Sequence, residues 1–282
     1  MISFPNAKIN LGLNIVRKRD DGYHDLETLF YPVALRDALE IIPQSEDLAG
    51  TGEVYLHLSG KTVEGPVESN ICVKAWRMLK ADFPSMPGID LHLYKAIPMG
   101  AGLGGGSADG SFTLRMLNDM FRLGLTGEAL ESYALRLGSD CPFFIRNSPC
   151  FATGRGEHMT PITLDLSGFS FLLVHPGIHV STAVAFAGVK PTIPDLSIRE
   201  IVTMKVSEWR GRLVNDFERT VFKAFPAIES LRDKLYDSGA IYAAMTGSGS
   251  SVFGVFPQNG LPEIRFPEDH TIYRQESLSP VI

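Results

Sequence analysis

The stretch Pro98-Met-Gly-Ala-Gly-Leu-Gly-Gly-Gly-Ser107 does most to decide how this chain folds. Five of the seven residues from Gly100 to Gly106 are glycine, so the backbone can approach a ligand closely or take a positive φ. A strand pattern from Leu91 to Ile97 precedes the run, and a helical pattern begins near Ser107. Backbone N–H groups at the start of a helix bind anions. We therefore expect a phosphate-binding loop. The alternative is a flexible surface loop, but flexible glycine linkers are usually glycine–serine mixtures that lie between domains.

Three well-known phosphate loops do not fit this stretch. A Walker A loop needs a lysine followed by Ser or Thr, and no lysine follows the glycines. Gly100 to Gly105 matches the dinucleotide pattern, which expects an acidic residue after a second strand, and Asp119 instead falls in a helical pattern. The His-Arg-Asp and Asp-Phe-Gly elements of protein kinases do not occur. The loop therefore belongs to another class.

Length and composition indicate a globular protein with room for two domains. The chain has 282 residues, of which 44% are hydrophobic and 21% are charged. Its formal net charge of −6 excludes a general basic field, so we expect no nucleic-acid or membrane partner. The three cysteines form no Cys-x-x-Cys pair, which is typical of a reducing compartment. With no signal-peptide or membrane-span pattern, we expect a cytoplasmic protein.

Strand and helix patterns alternate along the whole chain. Apolar residues at Ile9, Leu11, Leu13 and Ile15 predict a strand whose other side carries Lys8 and Asn10. Thr126 and Gly138 fit the start and the end of a helix, with Asp140 just beyond it. Further segments predict a turn, three helices and three strands: 19–24, 70–83, 215–225, 226–237, 171–175, 241–246 and 251–256. The class is α+β or α/β, and we place a domain boundary near residue 150, giving domains 1–150 and 151–282.

Three ordered blocks give the chain a resemblance to the GHMP kinases, named for the galactokinase, homoserine, mevalonate and phosphomevalonate kinases. The blocks are Lys8-Ile-Asn-Leu-Gly-Leu13, the glycine-rich stretch, and Thr246-Gly-Ser-Gly-Ser-Ser-Val-Phe253. Further blocks resemble family members that act on a cytidine nucleotide in the non-mevalonate isoprenoid pathway: Arg19-Asp-Asp-Gly-Tyr-His24, Leu137-Gly-Ser-Asp-Cys-Pro-Phe-Phe144, His175-Pro-Gly177 and Asn215-Asp-Phe-Glu218. The resemblance implies a two-domain α+β fold, with an N-terminal domain like the second domain of ribosomal protein S5 and a ferredoxin-like C-terminal domain.

The resemblance also implies a role for individual residues. Asp140 would be the catalytic base, and Lys8 would keep its carboxylate ionised and stabilise charge on the transferred phosphoryl group. The ATP site would comprise the glycine-rich stretch with two residues near the adenine: Pro98, Gly100, Gly102, Leu103, Gly104, Gly105, Gly106, Ser107, Lys95 and Asn70. Tyr23 and Phe186 would sandwich the cytosine, His24 would bond to its edge, and Asn10 and Thr182 would line the substrate site.

ATP with Mg²⁺ is the expected co-substrate, and the sequence singles out no metal ligand. The loop continues Ser107-Ala-Asp-Gly-Ser111 where the family commonly has a second serine, so we assign a role to Ser107 only. His175 and His179 have the spacing of zinc ligands on a helix, but Pro176-Gly177 between them predicts no helix and no zinc site. Two alternatives remain: another GHMP kinase, of homoserine or mevalonate type, or a catalytically silent nucleotide-binding regulator.

Overall fold

The computed structural model describes residues 1–44 and 53–278. The strands in these ranges are β1 (Ile2–Ser3), β2 (Asn6–Lys18), β3 (His24–Arg36), β4 (Ala38–Pro43), β5 (Val54–Gly60), β6 (Ile89–Lys95), β7 (Cys150–Gly154), β8 (His158–Pro161), β9 (Phe169–His175), β10 (Tyr242–Met245), β11 (Val252–Pro257) and β12 (Thr271–Gln275). The helices are α1 (Ile71–Asp82), α2 (Gly105–Phe121), α3 (Gly127–Leu137), α4 (Cys141–Arg146), α5 (Thr182–Phe186), α6 (Ile198–Ile201), α7 (Glu218–Ala224) and α8 (Pro226–Asp237). Short 3₁₀ turns cover Val67–Ser69 and Val206–Glu208.

The chain forms two compact units, each assembled from several segments. The first unit comprises residues 1–7, 35–99 and 104–147, and the second comprises residues 8–34, 100–103 and 148–282. This division follows spatial contacts, so the domain boundary at residue 150 stays a prediction. The mixture of strands and helices is the α+β class that the sequence indicated.

The first unit is a four-stranded sheet with helices. Its strand order is β1-β4-β6-β5, in which β4 runs antiparallel to β6 and β5 runs parallel to it. Apolar side chains alternate along β6, and α1 buries Val73, Trp76 and Leu79. Asn70 starts α1 by accepting a hydrogen bond from the Cys72 N–H at 2.9 Å. The glycine-rich stretch lies between β6 and α2. These two elements therefore fix its first and last residues, which belong to this unit.

The second unit contains two four-stranded sheets. One has the order β2-β3-β7-β8, and the other has the antiparallel order β10-β11-β9-β12. A buried cluster that includes Leu13, Leu172, Val221 and Leu231 joins β2, β9, α7 and α8. The polar side of β2 therefore has an apolar core behind it, as the alternation predicted.

Several predicted element ends are confirmed. The Thr126 hydroxyl caps α3 by accepting from the Ala129 N–H at 3.2 Å, and Gly138 is the C-cap of that helix. Helix α8 has the predicted bounds, whereas the segment from Asn215 to Phe217 is a turn and α7 begins at Glu218. The three cysteines are free and buried, as expected. No helix within the described ranges is long and apolar enough to cross a lipid bilayer.

Candidate active site

The start of α2 offers unpaired backbone donors. Gly104 is the N-cap with a left-handed φ of 69°, and none of the described side chains caps the helix. The first N–H groups of a helix have no intrahelical acceptor, so those of Gly105, Gly106 and Ser107 are available to an anion. This geometry suits the predicted phosphate cradle, and phosphate binding by these groups stays a prediction.

The glycine-rich residues of the second unit lie against the third sequence block. Gly102 has a φ of 77°, and a Cβ atom there would lie 2.1 Å from the Thr246 carbonyl oxygen. A Cβ atom on Gly247 would in turn lie 3.1 Å from the Gly102 Cα atom. The Ser251 N–H donates to the Ala101 carbonyl at 3.3 Å. Glycine is therefore required at residue 102 by close packing of two backbone turns, whatever the ligand.

Lys8 and Asn10 project from β2 into a buried polar network. The Lys8 Nζ donates to Asn10 Oδ1 at 2.7 Å and lies 4.7 Å from the centre of the Phe30 ring. The Asn10 amide donates to Thr28 Oγ1 at 2.9 Å, and the Thr28 hydroxyl donates to the Gly12 carbonyl at 2.6 Å. Because both side chains are at most 3% exposed, their orientation is fixed before any ligand binds.

The third block reaches the same network through Thr246. Its hydroxyl oxygen accepts the Asn10 backbone N–H at 2.9 Å and lies 3.3 Å from the Gly102 carbonyl oxygen. The Leu103 carbonyl accepts the Lys8 N–H at 3.0 Å. The first and third sequence blocks and residues 100–103 of the second block are thus hydrogen-bonded together within the second unit.

Asp140 occupies the N-cap of α4, immediately before Cys141 and Pro142. It is half-buried, and its carboxylate makes no capping hydrogen bond. The Cys141 N–H instead donates to the Gly138 carbonyl at 3.1 Å. Burial raises the pKa of the Cys141 thiol to about 11, so this cysteine is a packing residue and no nucleophile at neutral pH. Asp140 therefore stands at the start of α4, and its carboxylate does not cap that helix.

The structure brings two of the three predicted cytosine-binding residues together. The rings of His24 and Phe186 stack with centroids 4.9 Å apart and an interplanar angle of 26°. Phe186 also meets Phe217 edge-on at 4.7 Å. Tyr23 is 57% exposed, with the Arg155 guanidinium 5.0 Å from its ring centre. Thr182 is exposed at the first position of α5.

Lys95, which the resemblance places near the adenine of ATP, lies in a buried ion-pair cluster. Its side chain is fully buried, and its ammonium group pairs with Asp37 and, at 2.7 Å, with Asp109. Asp37 also accepts the N–H groups of Ala96 and Ile97 at 2.7 and 2.8 Å. These contacts give Lys95 a structural role, and its contact with ATP stays a prediction, like that of Asn70.

The second oxygen of Asp109, Oδ1, is buried and has no hydrogen-bond partner among residues 1–44 and 53–278. Burial raises the pKa of Asp109 to about 8, against the opposing pull of Lys95 and with the help of Asp37. Burial acts to lower the pKa of Lys95, but attraction to Asp109 and Asp37 prevails and raises it. Sequence reasoning missed Asp37 and Asp109 as partners, since the pairing depends on burial, and a strand lysine is usually exposed.

Comparison with known proteins gives a consistent result. The family pattern of the GHMP kinases N terminal domain matches residues 70–148, and that of the GHMP kinases C terminal domain matches residues 204–265. The 4-diphosphocytidyl-2-C-methyl-D-erythritol kinase of Bacteroides fragilis is 52% identical over 267 residues, which cover 94% of this chain and 96% of the relative. The kinase of the same name from Porphyromonas gingivalis is 45% identical over 99% of this chain and 100% of its own length.

Solved structures agree with this similarity. A crystal structure of 4-(cytidine 5'-diphospho)-2C-methyl-D-erythritol kinase superimposes with a TM-score of 0.76 at 31% identity, covering 92% of each chain. The mevalonate kinase of Methanococcus jannaschii has a TM-score of 0.69 at 15% identity over 97% of each chain, a likeness of fold alone.

Proposed function

This chain belongs to the GHMP kinase family, and we propose that it transfers the γ-phosphoryl group of ATP to the 2-hydroxyl of 4-diphosphocytidyl-2-C-methyl-D-erythritol. The reaction is a step of non-mevalonate isoprenoid precursor biosynthesis. The observation that carries the proposal is similarity over nearly the whole length to relatives that bear this name. The His24–Phe186 stack supports it, because a cytosine base binds to aromatic surfaces of this kind.

In the proposed mechanism, Asp140 accepts the proton of the substrate hydroxyl. The hydroxyl oxygen bonds to the γ-phosphorus, the bond from that phosphorus to the bridging oxygen breaks, and ADP leaves. Such transfers depend on positioning and on charge stabilisation. Lys8 stabilises the developing negative charge, and the N–H groups at the start of α2 hold the phosphates.

Mg²⁺ enters this proposal as part of the MgATP substrate. In the described ranges, no group of three or more His, Cys, Asp and Glu side chains is arranged to hold a metal ion. A magnesium ion that keeps phosphate and water ligands fits such a site, because Mg²⁺ rarely needs an all-protein cage. When bound, it neutralises charge on the phosphates. A cytoplasmic location is also proposed, because three free buried thiols suit a reducing compartment.

A panel of acceptors tests the proposal directly. The purified chain is incubated with MgATP and, separately, the cytidine substrate, its uridine analogue, mevalonate and homoserine, while ADP release is measured. We expect rapid ADP release with the cytidine substrate and a phosphomonoester product in ³¹P NMR. Preference for mevalonate or homoserine would establish the alternative kinase type. ATP binding by calorimetry without turnover of any acceptor would establish the silent regulator.

A further inference from the structure

The segment Asn215-Asp-Phe-Glu218, hereafter the brace, has no role in the mechanism above, although its sequence resembles a family block. Asn215 is 3% exposed, and its amide donates to two carbonyl oxygens, those of Met245 and Gly247, each at 2.9 Å. Its Oδ1 accepts the Phe217 N–H at 3.1 Å. One buried amide therefore spans Thr246, with all its donors in use.

Glu218 binds Met245, whose carbonyl oxygen also accepts from Asn215. Its Oε1 accepts the Met245 N–H at 2.7 Å, so the brace binds both the N–H and the carbonyl of Met245. The Arg232 guanidinium lies 3.6 Å from the second carboxylate oxygen. The end of β10 is consequently fixed by two side chains of one short segment.

The brace also holds β2. The Asp216 carboxylate accepts the Ile15 N–H at 2.7 Å, and its backbone N–H donates to the Leu13 carbonyl at 2.8 Å. Leu13 in turn donates its N–H to the Val214 carbonyl at 2.8 Å. The brace is thus hydrogen-bonded both to the strand that carries Lys8 and Asn10 and to the turn that carries Thr246.

The turn cannot shift alone, because it is packed against the phosphate loop. The space for a Cβ atom on Gly102 is filled by the Thr246 carbonyl, 2.1 Å away. The Thr246 hydroxyl simultaneously binds the Asn10 backbone. A displacement of Thr246 must therefore move residues 100–103 or the Asn10 backbone.

From these contacts we infer that Asn215 and Glu218 are positioning residues for nucleotide binding: they set the place of the Thr246–Gly249 turn and, through it, of Gly102. This inference rests on the proposed phosphate-binding role of the loop. A misplacement of about 1 Å can cost about 10²-fold in rate. We expect Asn215→Ala to lower kcat/KM for ATP by about 10–100-fold, with a rise in the Kd of ATP.

The matched control is Tyr242→Phe. The Tyr242 hydroxyl is also a buried donor to a backbone carbonyl, that of Leu213 at 3.0 Å, and it lies on the same strand β10. Removing it deletes one buried hydrogen bond without touching the Thr246 turn. We expect Tm to fall in both variants, further in Asn215→Ala because three hydrogen bonds are lost, with unchanged ATP affinity in Tyr242→Phe only.

Glu218 supplies a second test that does not depend on the folding of the Asn215 variant. Glu218→Gln keeps an acceptor for the Met245 N–H, and Glu218→Ala removes it. The inference predicts near-normal ATP affinity by calorimetry for the glutamine variant and weakened affinity for the alanine variant. It is overturned if the two variants bind ATP equally well, or if Asn215→Ala loses stability with unchanged Kd. Calorimetry needs no acceptor substrate, so a failure of the proposed cytidine specificity would leave this result readable.

Discussion

Two buried polar clusters lie next to glycines of the glycine-rich stretch, and they differ in the chemical groups that form them. The first unit has a charged cluster, Asp37, Lys95 and Asp109, in which one ammonium group faces two carboxylates. The second unit has what we call the neutral network, the amide and hydroxyl groups of Asn10, Thr28 and Thr246, with the ammonium group of Lys8 bound to Asn10 Oδ1 at 2.7 Å. Lys95 lies 3.4 Å from the place of a Cβ on Gly105, and Thr246 fills that place on Gly102.

The difference predicts how much stability the protein loses when one group of each cluster is removed. A buried charge that loses its partner is left without solvation, which costs more than the loss of a neutral hydrogen bond. The charged cluster also responds to pH through Asp109, whereas the amide and hydroxyl groups of the neutral network do not titrate. The predictions below use this contrast, and the first separates both clusters from the chemistry.

Asp140→Asn and Asp109→Asn replace two carboxylates of the same unit with the same group. If Asp140 is the base, its variant loses about 10²–10⁴-fold in kcat, or roughly 3–5 kcal/mol of barrier. Its stability should change less than that of Asp109→Asn, because Asp140 is half-buried whereas Asp109 is buried. Asp109→Asn should alter stability and keep most of kcat. Steady-state kinetics and urea unfolding on both variants check this. If Asp140→Asn keeps more than about a tenth of wild-type kcat, Asp140 is not the catalytic base.

Lys8→Ala extends this test to the second unit. If Lys8 and Asp140 act together, the double variant should lose less kcat than the product of the two single losses. Fully multiplicative losses would mean that the two residues act independently.

Lys95→Met tests the charged cluster as a structural element. Removing the ammonium group leaves the buried Asp37 carboxylate without its charge partner even where Asp109 is protonated, and such changes cost about 3–5 kcal/mol of unfolding free energy. Lys74→Met on the exposed side of α1 is the control, expected within about 0.5 kcal/mol of wild type. Urea unfolding at pH 7 measures both. Unchanged stability with weakened ATP binding would instead make Lys95 the nucleotide ligand that the family resemblance implied.

This contrast also shows how far the sequence could lead. The alternation in β2, the cap at Thr126 and the stop at Gly138 are local signals, and they predicted their elements correctly. The partners of Lys95 are 58 and 14 residues away along the chain, and no local pattern indicates that this lysine is buried. The stacking of His24 on Phe186 likewise joins distant segments, and only the family resemblance selected both residues.

Thr246→Val tests the neutral network with nearly the same side-chain shape. The substitution leaves the buried Asn10 N–H without its acceptor, which costs about 1–3 kcal/mol. The loss should be smaller than for Lys95→Met because no charge is stranded. Urea unfolding of the two variants side by side gives the comparison. An equal or larger loss for Thr246→Val would contradict the distinction between the clusters.

The charged cluster should make stability depend on pH. Because the pKa of Asp109 is raised to about 8 from its ordinary 3.8, the folded protein binds more protons than the unfolded chain between these values. The contribution of Asp109 to the free energy of unfolding is therefore fully present below about pH 4, and it is lost as the pH rises toward 8. Asp37, Lys95 and the buried Cys72 thiol face the same carboxyl. Glu218, with its pKa raised by burial to about 7, acts in the same direction.

Unfolding free energies from pH 5 to 8.5 in wild type and Asp109→Asn measure this effect. The asparagine variant should show a flatter profile, because Glu218 titrates in both proteins and Asp109 titrates in wild type only. Thr246→Val should run parallel to wild type. Parallel profiles for all three proteins would remove the titrating role of Asp109.

The smallest expected change in stability separates glycines kept for the fold from glycines kept for the ligand. A methyl group on Gly105 would lie 2.8 Å from the Ile97 side chain, whereas one on Gly106 meets no atom within 4 Å. Gly106 has no positive φ and lies in the first turn of α2, so Gly106→Ala should stabilise the protein by about 0.5–1 kcal/mol. The same methyl would intrude on a phosphate held at the helix start, so ATP affinity should fall. Gly127→Ala, in the first turn of α3 with equally open space, should be similarly stabilising and leave ATP affinity unchanged. Thermal unfolding and calorimetry on the pair decide the matter: a Gly106→Ala protein that binds ATP normally would mean that the phosphates do not lie against the first turn of α2.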